Sequence, residues 1–408
     1  MITPIVACRA CGCERLETVL DLGELCVSDF PPPGGSEDSA PLELVCCLGC
    51  SLVQLRHTVD RDRLYKDYWY RSGTNESMVA ALRDVVDEAC KRVNLQDGDA
   101  VLDIGCNDGT MLRMFPEHAR RYGFEPSNLY VEAQRGTDGI FPTYFPPPYP
   151  PFRKFMVITS IAMFYDLDDP DRFVKAIKRW LHPEGVWVCQ FQDLSAMLGV
   201  NGFDNICHEH LTYWSGHAFL TLLWKHGLHP KAVSYNSTNG GSVRYVIGHG
   251  EPIVSVQHDM SDAMAYAFQL ARFGRTVEDL KAQTLSLLRD LKAQDKFVMG
   301  YGASTKGNTL LQYYGIDSTL VRAIAERAPE KWGRVTAGTH IPIISEEEMR
   351  EQRPDYLFVL PWHFIDGFVK REAGLLAQGT RFIVPLPELR VIGGAECLST
   401  IGGAYART

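Results

Sequence analysis

The stretch "DAVLDIGCNDGTML", residues Asp99–Leu112, decides how the chain is read. Val101, Leu102 and Ile104 make an apolar run of strand length, which Gly105 and Gly109 then interrupt. Glycine permits a tight turn and a close approach of backbone to ligand at the carboxyl end of a strand. The expected local structure is a strand, a glycine turn and a helix. The next strand, "RYGFEPS", ends in Glu125, twenty positions after Gly105. A carboxylate there is placed to accept hydrogen bonds from the two ribose hydroxyls of a nucleoside. Together these features predict an open α/β sheet of Rossmann type with a nucleoside-binding edge.

The turn is not Gly-x-Gly-x-x-Gly; it presents Asp103, Gly105, Asn107, Asp108 and Gly109. A pyrophosphate is bound by bare amides, whereas acidic and amide side chains suit a cationic ligand without phosphate. S-adenosylmethionine carries a sulfonium and an ammonium and no phosphate. It is the expected cofactor, with Asp103, Gly105, Asn107, Asp108 and Glu125 as its binding residues. The blander alternative is a generic nucleotide fold.

The same alternation extends outward. Upstream, Met78, Leu82, Val85, Val86, Ala89 and Val93 recur at helical spacing, so Ser77–Asn94 reads as an amphipathic helix capped by Ser77. Downstream come a strand and exit loop at Phe155–Leu167, a helix at Asp171–Leu181 and a strand at Val186–Phe191. The proline run Phe145–Phe152 marks a loop. "FDNICHEHLTYW" (Phe203–Trp214) then lies just past the fifth strand, on the side where open α/β sheets bind ligands. His208 and His210 flank Glu209, a spacing unlike the His-Glu-x-x-His of zinc proteases. Asn239–Gly248 reads as the last strand of this core.

A second α/β unit follows. Two helices are expected, about Asp262–Phe273 and Val277–Leu291, with Thr276 and Asp279 as a capping box for the second. "FVMGYGASTKGNTLL" (Phe297–Leu311) repeats the strand, glycine turn and helix, with Lys306 beside an anion cradle. Thr305 stands where a dinucleotide fingerprint needs its third glycine, which argues against an NAD-dependent oxidoreductase.

Seven of the twelve cysteines fall in the first 50 residues. "CRAC" (Cys8, Cys11) and "CLGC" (Cys47, Cys50) have knuckle spacing, and two such turns complete the four-sulfur tetrahedron of structural zinc. Cys13 and Cys46 are alternative ligands; buried thiols or a redox pair are the blander readings. "FPPPGG" (Phe30–Gly35) reads as a loop between the pairs. The net charge of −9 over 408 residues disfavours a general nucleic-acid binder. No apolar run is long enough for a membrane span, and "MITPIVACRACG" lacks a signal core, so a cytoplasmic location is expected.

Across nearly the whole chain the order of motifs resembles the nucleotide-sugar C-methyltransferases. The motifs are "CRACG" and "CLGCSLVQL", "DYWYRSGTNESM", "VLDIGCNDGTML" with "GFEPS", "FDNICHEHLTYWS", "NGGSVR", "GYGASTKGNTLL", "GTHIPI" and "LPWHF". The resemblance implies a zinc-binding domain over 1–70, a class I S-adenosylmethionine methyltransferase domain over 71–250, and a Rossmann-like domain over 251–408 that contributes to sugar-nucleotide binding. It also implies a 4-keto deoxysugar, carried on a nucleoside diphosphate and methylated at the adjacent carbon, in natural-product biosynthesis. No nucleic acid or membrane partner is expected, and the chain is expected to be a monomer or weak homo-oligomer. By position His210 matches the general base and Glu209 its acidic neighbour. Members often carry tyrosine two positions before that glutamate; here it is Cys207.

The chemistry explains these residue types. A hydrogen beside a ketone is removed near neutral pH only by a positioned base of matching pKa, and histidine, ordinarily near 6.5, suits that task. The enolate oxygen needs a partner, and Asn205, His208 or a tyrosine (Tyr68, Tyr70, Tyr213) are the candidates. The expected catalytic set is His210, Glu209 and His208. Tyr70, Asn205, Cys207, Asn239, Arg244, Lys306, Lys331 and His340 are the expected substrate ligands, and Trp362–His363 are packing residues or ligands. The alternatives are O- or N-methylation of a natural-product intermediate, or a catalytically silent zinc-ribbon interaction protein.

Overall fold

The computed structural model describes residues 2–66, 69–251 and 263–393, so Tyr68 and the expected helix start at Asp262 lie outside it. The chain divides into two compact units. Met1–Thr18, Leu44–Ala196 and Glu209–Ala267 form the first; Val19–Glu43, Met197–His208 and Phe268–Thr408 form the second.

The first unit is built on a seven-stranded sheet. Its strands are β1 (Ala100–Ile104), β2 (Arg120–Phe124), β3 (Gly139–Phe141), β4 (Phe155–Ile161), β5 (Leu181–Gln192), β6 (His229–Asn236) and β7 (Ser242–Gly248). The spatial order is β6-β7-β5-β4-β1-β2-β3, parallel from β5 to β3 and antiparallel at β6 and β7. Chain direction reverses in strand order between β1 and β4, which opens a ligand crevice at their carboxyl ends. β1 is buried along its whole length, as a central parallel strand must be. One face of the sheet packs on the helix Glu76–Arg92 through Leu82, Val85, Val86 and Ala89. The other holds a dense aromatic core including Phe164, Phe173, Trp180, Trp187, Phe191, Trp214 and Phe219.

Three local expectations are corrected. No full helix follows the glycine turn: Leu112–Met114 is a single 3₁₀ turn and Phe115 is extended. Pro116 explains this, because a residue before proline is pushed out of helical geometry. Asn75, not Ser77, caps the helix Glu76–Arg92, its side chain accepting the Ser77 amide. Downstream, one helix spans Ala263–Ala293 where two were expected, and Thr276 lies inside it with its hydroxyl on the Arg272 carbonyl.

The second unit carries a six-stranded sheet. Its strands are β8 (Val298–Tyr301), β9 (Ile324–Glu326), β10 (Ile343–Ser345), β11 (Tyr356–Val359), β12 (Arg381–Val384) and β13 (Arg390–Ile392), in the order β10-β9-β8-β11-β12-β13. It is parallel up to β12, with β13 antiparallel at the edge. Ser304 caps the helix Thr305–Tyr314 that follows the glycine turn, and Gly315 ends it in the left-handed conformation. Among the described residues, no helix is long and apolar enough to cross a membrane.

Candidate active site and metal centre

The two cysteine turns meet within the first unit. The sulfurs of Cys8, Cys11, Cys47 and Cys50 all lie within 4.8 Å of one another, with Cys8–Cys50 at 3.6 Å and Cys11–Cys47 at 3.5 Å. Four sulfurs around Zn²⁺ at about 2.3 Å each sit about 3.8 Å apart, so the donor set fits a structural zinc. The Gly49 amide donates to the Cys47 sulfur at 3.3 Å, a second-layer bond that steadies a thiolate. Cys13 and Cys46 stay outside the group of four. Cys13 crowds Gly49 instead: a Cβ there would meet its sulfur at 3.2 Å.

The donor turn is assembled from the ends of β1 and β2. Gly105 (φ +73°) and Asn107 (φ +52°) both take the left-handed conformation. The Gly105 and Cys106 amides donate to the Phe124 carbonyl, tying the turn to β2. Glu125 follows immediately; its Oε2 accepts the Asn107 amide at 2.7 Å and its Oε1 the Ser127 amide at 2.9 Å. Each carboxylate oxygen has a second lone pair, so a nucleoside's two hydroxyls can still be received.

Asn107 and Asp108 grip the chain's own Tyr70–Gly73 segment. Asn107 accepts from the Ser72 amide at 2.9 Å and donates to the Tyr70 carbonyl at 2.9 Å, while Asp108 accepts from the Gly73 amide at 2.8 Å. Gly73 is needed there, since a Cβ would meet Asp108 Oδ2 at 2.9 Å.

Asp103 is buried and accepts the Thr159 hydroxyl at 2.7 Å. Burial pushes its carboxyl up to about 7, against the Thr159 bond that lowers it. A buried acid close to Glu125 fits a cationic nucleoside and would repel a phosphate.

The sign of the resulting pH dependence is definite. An unfolded aspartate releases its proton near pH 4, whereas folded Asp103 keeps it to about 7. The folded state binds the extra proton in between, so stability falls as pH rises through that window and then levels, by at most roughly 4 kcal/mol. Asp103→Asn removes this slope and weakens donor binding. Urea unfolding at intervals from pH 4 to 8 checks it, and identical slopes in both proteins would refute the assignment.

The exit of β4 links this turn to the histidine segment. Ala162 adopts φ +54°, and its amide donates to the Gln190 carbonyl at 2.8 Å. Met163 packs on the donor turn: a Cβ on Gly105 would lie 3.3 Å from Met163 Cγ. Two residues on, the Tyr165 ring meets the His210 ring edge to face, with centroids 4.5 Å apart. The Tyr165 carbonyl accepts the Thr212 hydroxyl at 3.1 Å. Thr212–Tyr213 is a short strand paired antiparallel with Val53–Leu55, just beyond the zinc knuckle. The Leu55 amide donates to the Leu211 carbonyl at 2.9 Å, and the Tyr65 hydroxyl to the Glu209 carbonyl at 3.0 Å. The Glu209–Tyr213 segment is thus sewn to the zinc lobe, to Tyr65 and to the β4 exit.

The remaining expected residues divide between the units. Asn205, Cys207 and His208 belong to the second, Glu209 and His210 to the first. His208 is buried with Nε2 2.9 Å from the Ala40 carbonyl, and burial lowers its pKa. Asn205 donates to the Gly202 carbonyl at 2.9 Å, and Cys207 is fully buried. In the first unit, Tyr70 is exposed and Tyr213 buried. Asn239 takes φ +55° at the turn before β7. Arg244 is buried on β7, donating to Gln190 at 2.8 Å and pairing with Asp84 at 2.8 Å. In the second unit, Lys331 donates to the Ala303 carbonyl at 2.8 Å and lies over the Phe30 ring, and His340 pairs with Glu37 at 2.9 Å. Lys306 stands near the helix start, where its charge acts on Asp204 and His363. Trp362 donates its indole N–H to Asp204 at 3.0 Å, a packing and hydrogen-bonding role.

Sequence reasoning missed Met163, Tyr165 and Glu326. Glu326, at the end of β9, accepts the Ala303 amide at 2.8 Å as Glu125 accepts that of Asn107. The signal that selected Glu125, an acid ending the strand after a glycine turn, is present in "LVRAIAE" as well.

Three family models cover most of the chain. A zinc binding domain matches residues 8–65, a methyltransferase domain 74–232 and a C-methyltransferase C-terminal domain 237–387. The C-methyltransferase NovU of Streptomyces niveus is 30% identical over 419 residues, spanning 98% of this chain and 99% of that protein. Among solved structures, an S-adenosylmethionine-dependent methyltransferase from Clostridium acetobutylicum is 14% identical, with TM-score 0.35, covering 42% of this chain and 92% of its own. The PH0226 protein of Pyrococcus horikoshii is 14% identical, with TM-score 0.37, covering 44% and 95%.

Proposed function

The chain belongs to the S-adenosylmethionine-dependent C-methyltransferase family, and we propose that it methylates a nucleotide-linked 4-keto deoxysugar at the carbon beside the ketone, with His210 as base. When bound, S-adenosylmethionine supplies an electrophilic methyl group on a sulfonium. Glu125, already fixed by two amides, receives the ribose hydroxyls, with the buried Asp103 carboxyl close behind. A ring nitrogen of His210 takes the hydrogen beside the ketone, and the electron pair delocalises onto the ketone oxygen. Glu209, on the adjoining residue, orients the imidazole or holds a sugar hydroxyl. Lys306, Lys331 and His340 are the proposed ligands of the diphosphate.

One observation carries this reading. The loop leaving β4 touches the donor turn through Met163 and the His210 ring through Tyr165, two residues later. A histidine joined to the donor turn through one short loop is suited to serve a carbon acid, because a C–H adjacent to a ketone needs a positioned base before it becomes a nucleophile.

The test is a product analysis. Purified protein is incubated with the methyl donor and a panel of 4-keto deoxysugar nucleotides, and the product is characterised by tandem mass spectrometry and NMR. A methyl on the ring carbon beside the ketone, resistant to demethylation, is expected. A methyl found on oxygen or nitrogen would replace this reading with heteroatom transfer.

A further inference from the structure

We propose that Tyr70–Gly73 is a strap over the methyl-donor site, and that Asn107 and Asp108 act as its latch. Both are then positioning residues, which retain the donor by holding the strap. The inference concerns the donor alone and stands whichever acceptor is methylated.

The strap is anchored on both sides of Glu125, all within the first unit. On one side the Asn107 side chain accepts the Ser72 amide at 2.9 Å and donates to the Tyr70 carbonyl at 2.9 Å. The Asp108 carboxylate takes the Gly73 amide with one oxygen at 2.8 Å and the Thr110 amide with the other at 3.0 Å. On the other side Arg71 pairs with Glu132 at 3.3 Å, on the short helix Tyr130–Ala133 that follows β2. A segment tied to the loops before and after Glu125 would cover a nucleoside held there.

Asn107 joins strap and donor site in one residue. Its own amide donates to Glu125 Oε2 at 2.7 Å while its side chain holds the strap. It does so from the left-handed region, at φ +52°, which a non-glycine residue keeps only where its surroundings impose it. Any adjustment of Glu125 to a bound ribose therefore reaches the strap directly. By linkage, whatever favours the closed strap also tightens the donor.

The strap can open without disturbing the helix behind it. Ser72–Thr74 is a single 3₁₀ turn between two extended residues, Arg71 and Asn75. The helix Glu76–Arg92 is meanwhile fixed to the sheet by Leu82, Val85, Val86 and Ala89. None of Tyr70–Gly73 is buried, so opening exposes no core. Segments of this kind, held by a few polar contacts, open at a small fraction of the global unfolding free energy.

The test uses the full chain with zinc bound and S-adenosylhomocysteine as the ligand, reading amide hydrogen exchange and the ligand's dissociation rate. In the parent, the ligand is expected to slow exchange of the Ser72 and Gly73 amides by about 10-fold or more. Two variants cut one bond from opposite ends. Asn107→Gly removes the side chain at a backbone conformation that glycine adopts freely. Ser72→Pro removes the amide at the first position of a 3₁₀ turn and after an extended residue, where proline fits. Asn107→Gly should release the ligand about 10-fold faster and Ser72→Pro about 3- to 5-fold faster, with β1 and β2 as protected as in the parent. The double variant should release it no faster than Asn107→Gly alone, because both changes remove the same contact. Losses that add overturn the proposal, since Asn107 would then act on the donor by itself. A parental release rate in either single variant overturns it too, as do Ser72 and Gly73 amides that exchange equally fast with and without ligand.

Discussion

His210→Ala is expected to abolish exchange of the hydrogen beside the ketone with deuterated water while S-adenosylmethionine still binds. The two halves of this result come from separate parts of the first unit. The donor site is held by β1, β2 and Glu125, through amide bonds that do not involve the histidine segment. His210 is approached by the β4 exit and sewn down by neighbours on either side, so its side chain can be removed without unfastening the backbone. General-base removal typically costs 10²–10⁴-fold, and a carbon acid lies at the upper end because water is a poor substitute. A loss of about 10³-fold or more is expected in exchange and transfer alike, with donor affinity by calorimetry within a factor of about 2. Free imidazole in the buffer should restore part of the exchange in the alanine variant, because the space left is the size of the missing ring. Exchange at the parental rate in His210→Ala would end the assignment.

How much of such a site is legible in a sequence depends on which interactions are local. Strand, turn and acid are local, so Asp99–Leu112 and Glu125 lead directly to the sheet and its binding edge, and the two C-x-x-C turns lead directly to the zinc cluster. What sequence reading misses is tertiary. Gly274 and Thr276 look like a helix break, yet Leu270, Phe273, Val277, Leu280, Thr284, Leu288 and Leu291 are all buried in unbroken helical register. That packing outweighs an interior glycine, which costs about 1 kcal/mol against alanine. Asn107 and Asp108 have the right chemistry for a cationic ligand, but only the fold shows that Tyr70–Gly73 comes back to use them. Tyr165 carries no signal because its partner lies 45 positions away. Arg244 illustrates the converse: a glycine turn places it near a rim, and its register opposite Gln190 then binds it into the sheet.

Removing zinc should silence the enzyme before it unfolds the donor site. The knuckles are not an appendage: Cys8, Cys47, Cys50 and Leu52 belong to the same buried cluster as Phe164, Trp214 and Phe219. Val53–Leu55 starts three residues past Cys50 and is the strand to which Thr212–Tyr213 pairs, two residues after His210. A bound zinc would therefore secure the backbone on one side of His210. Structural zinc binds small modules with apparent free energies of about 10–16 kcal/mol, so little of the lobe's order should outlast it. One zinc per chain is expected from a colorimetric thiol-displacement assay. Chelation, or Cys50→Ser, should raise amide hydrogen exchange across 53–55 and 211–213 while β1 and β2 stay protected and donor binding persists. Turnover should fall in step with zinc release by about 100-fold, the scale expected when a catalytic group is loosened rather than deleted. The discriminating readout is local: a zinc-free chain that keeps 211–213 protected would show that the β-pairing stands by itself. In that case the zinc lobe's link to the base would be one of proximity alone.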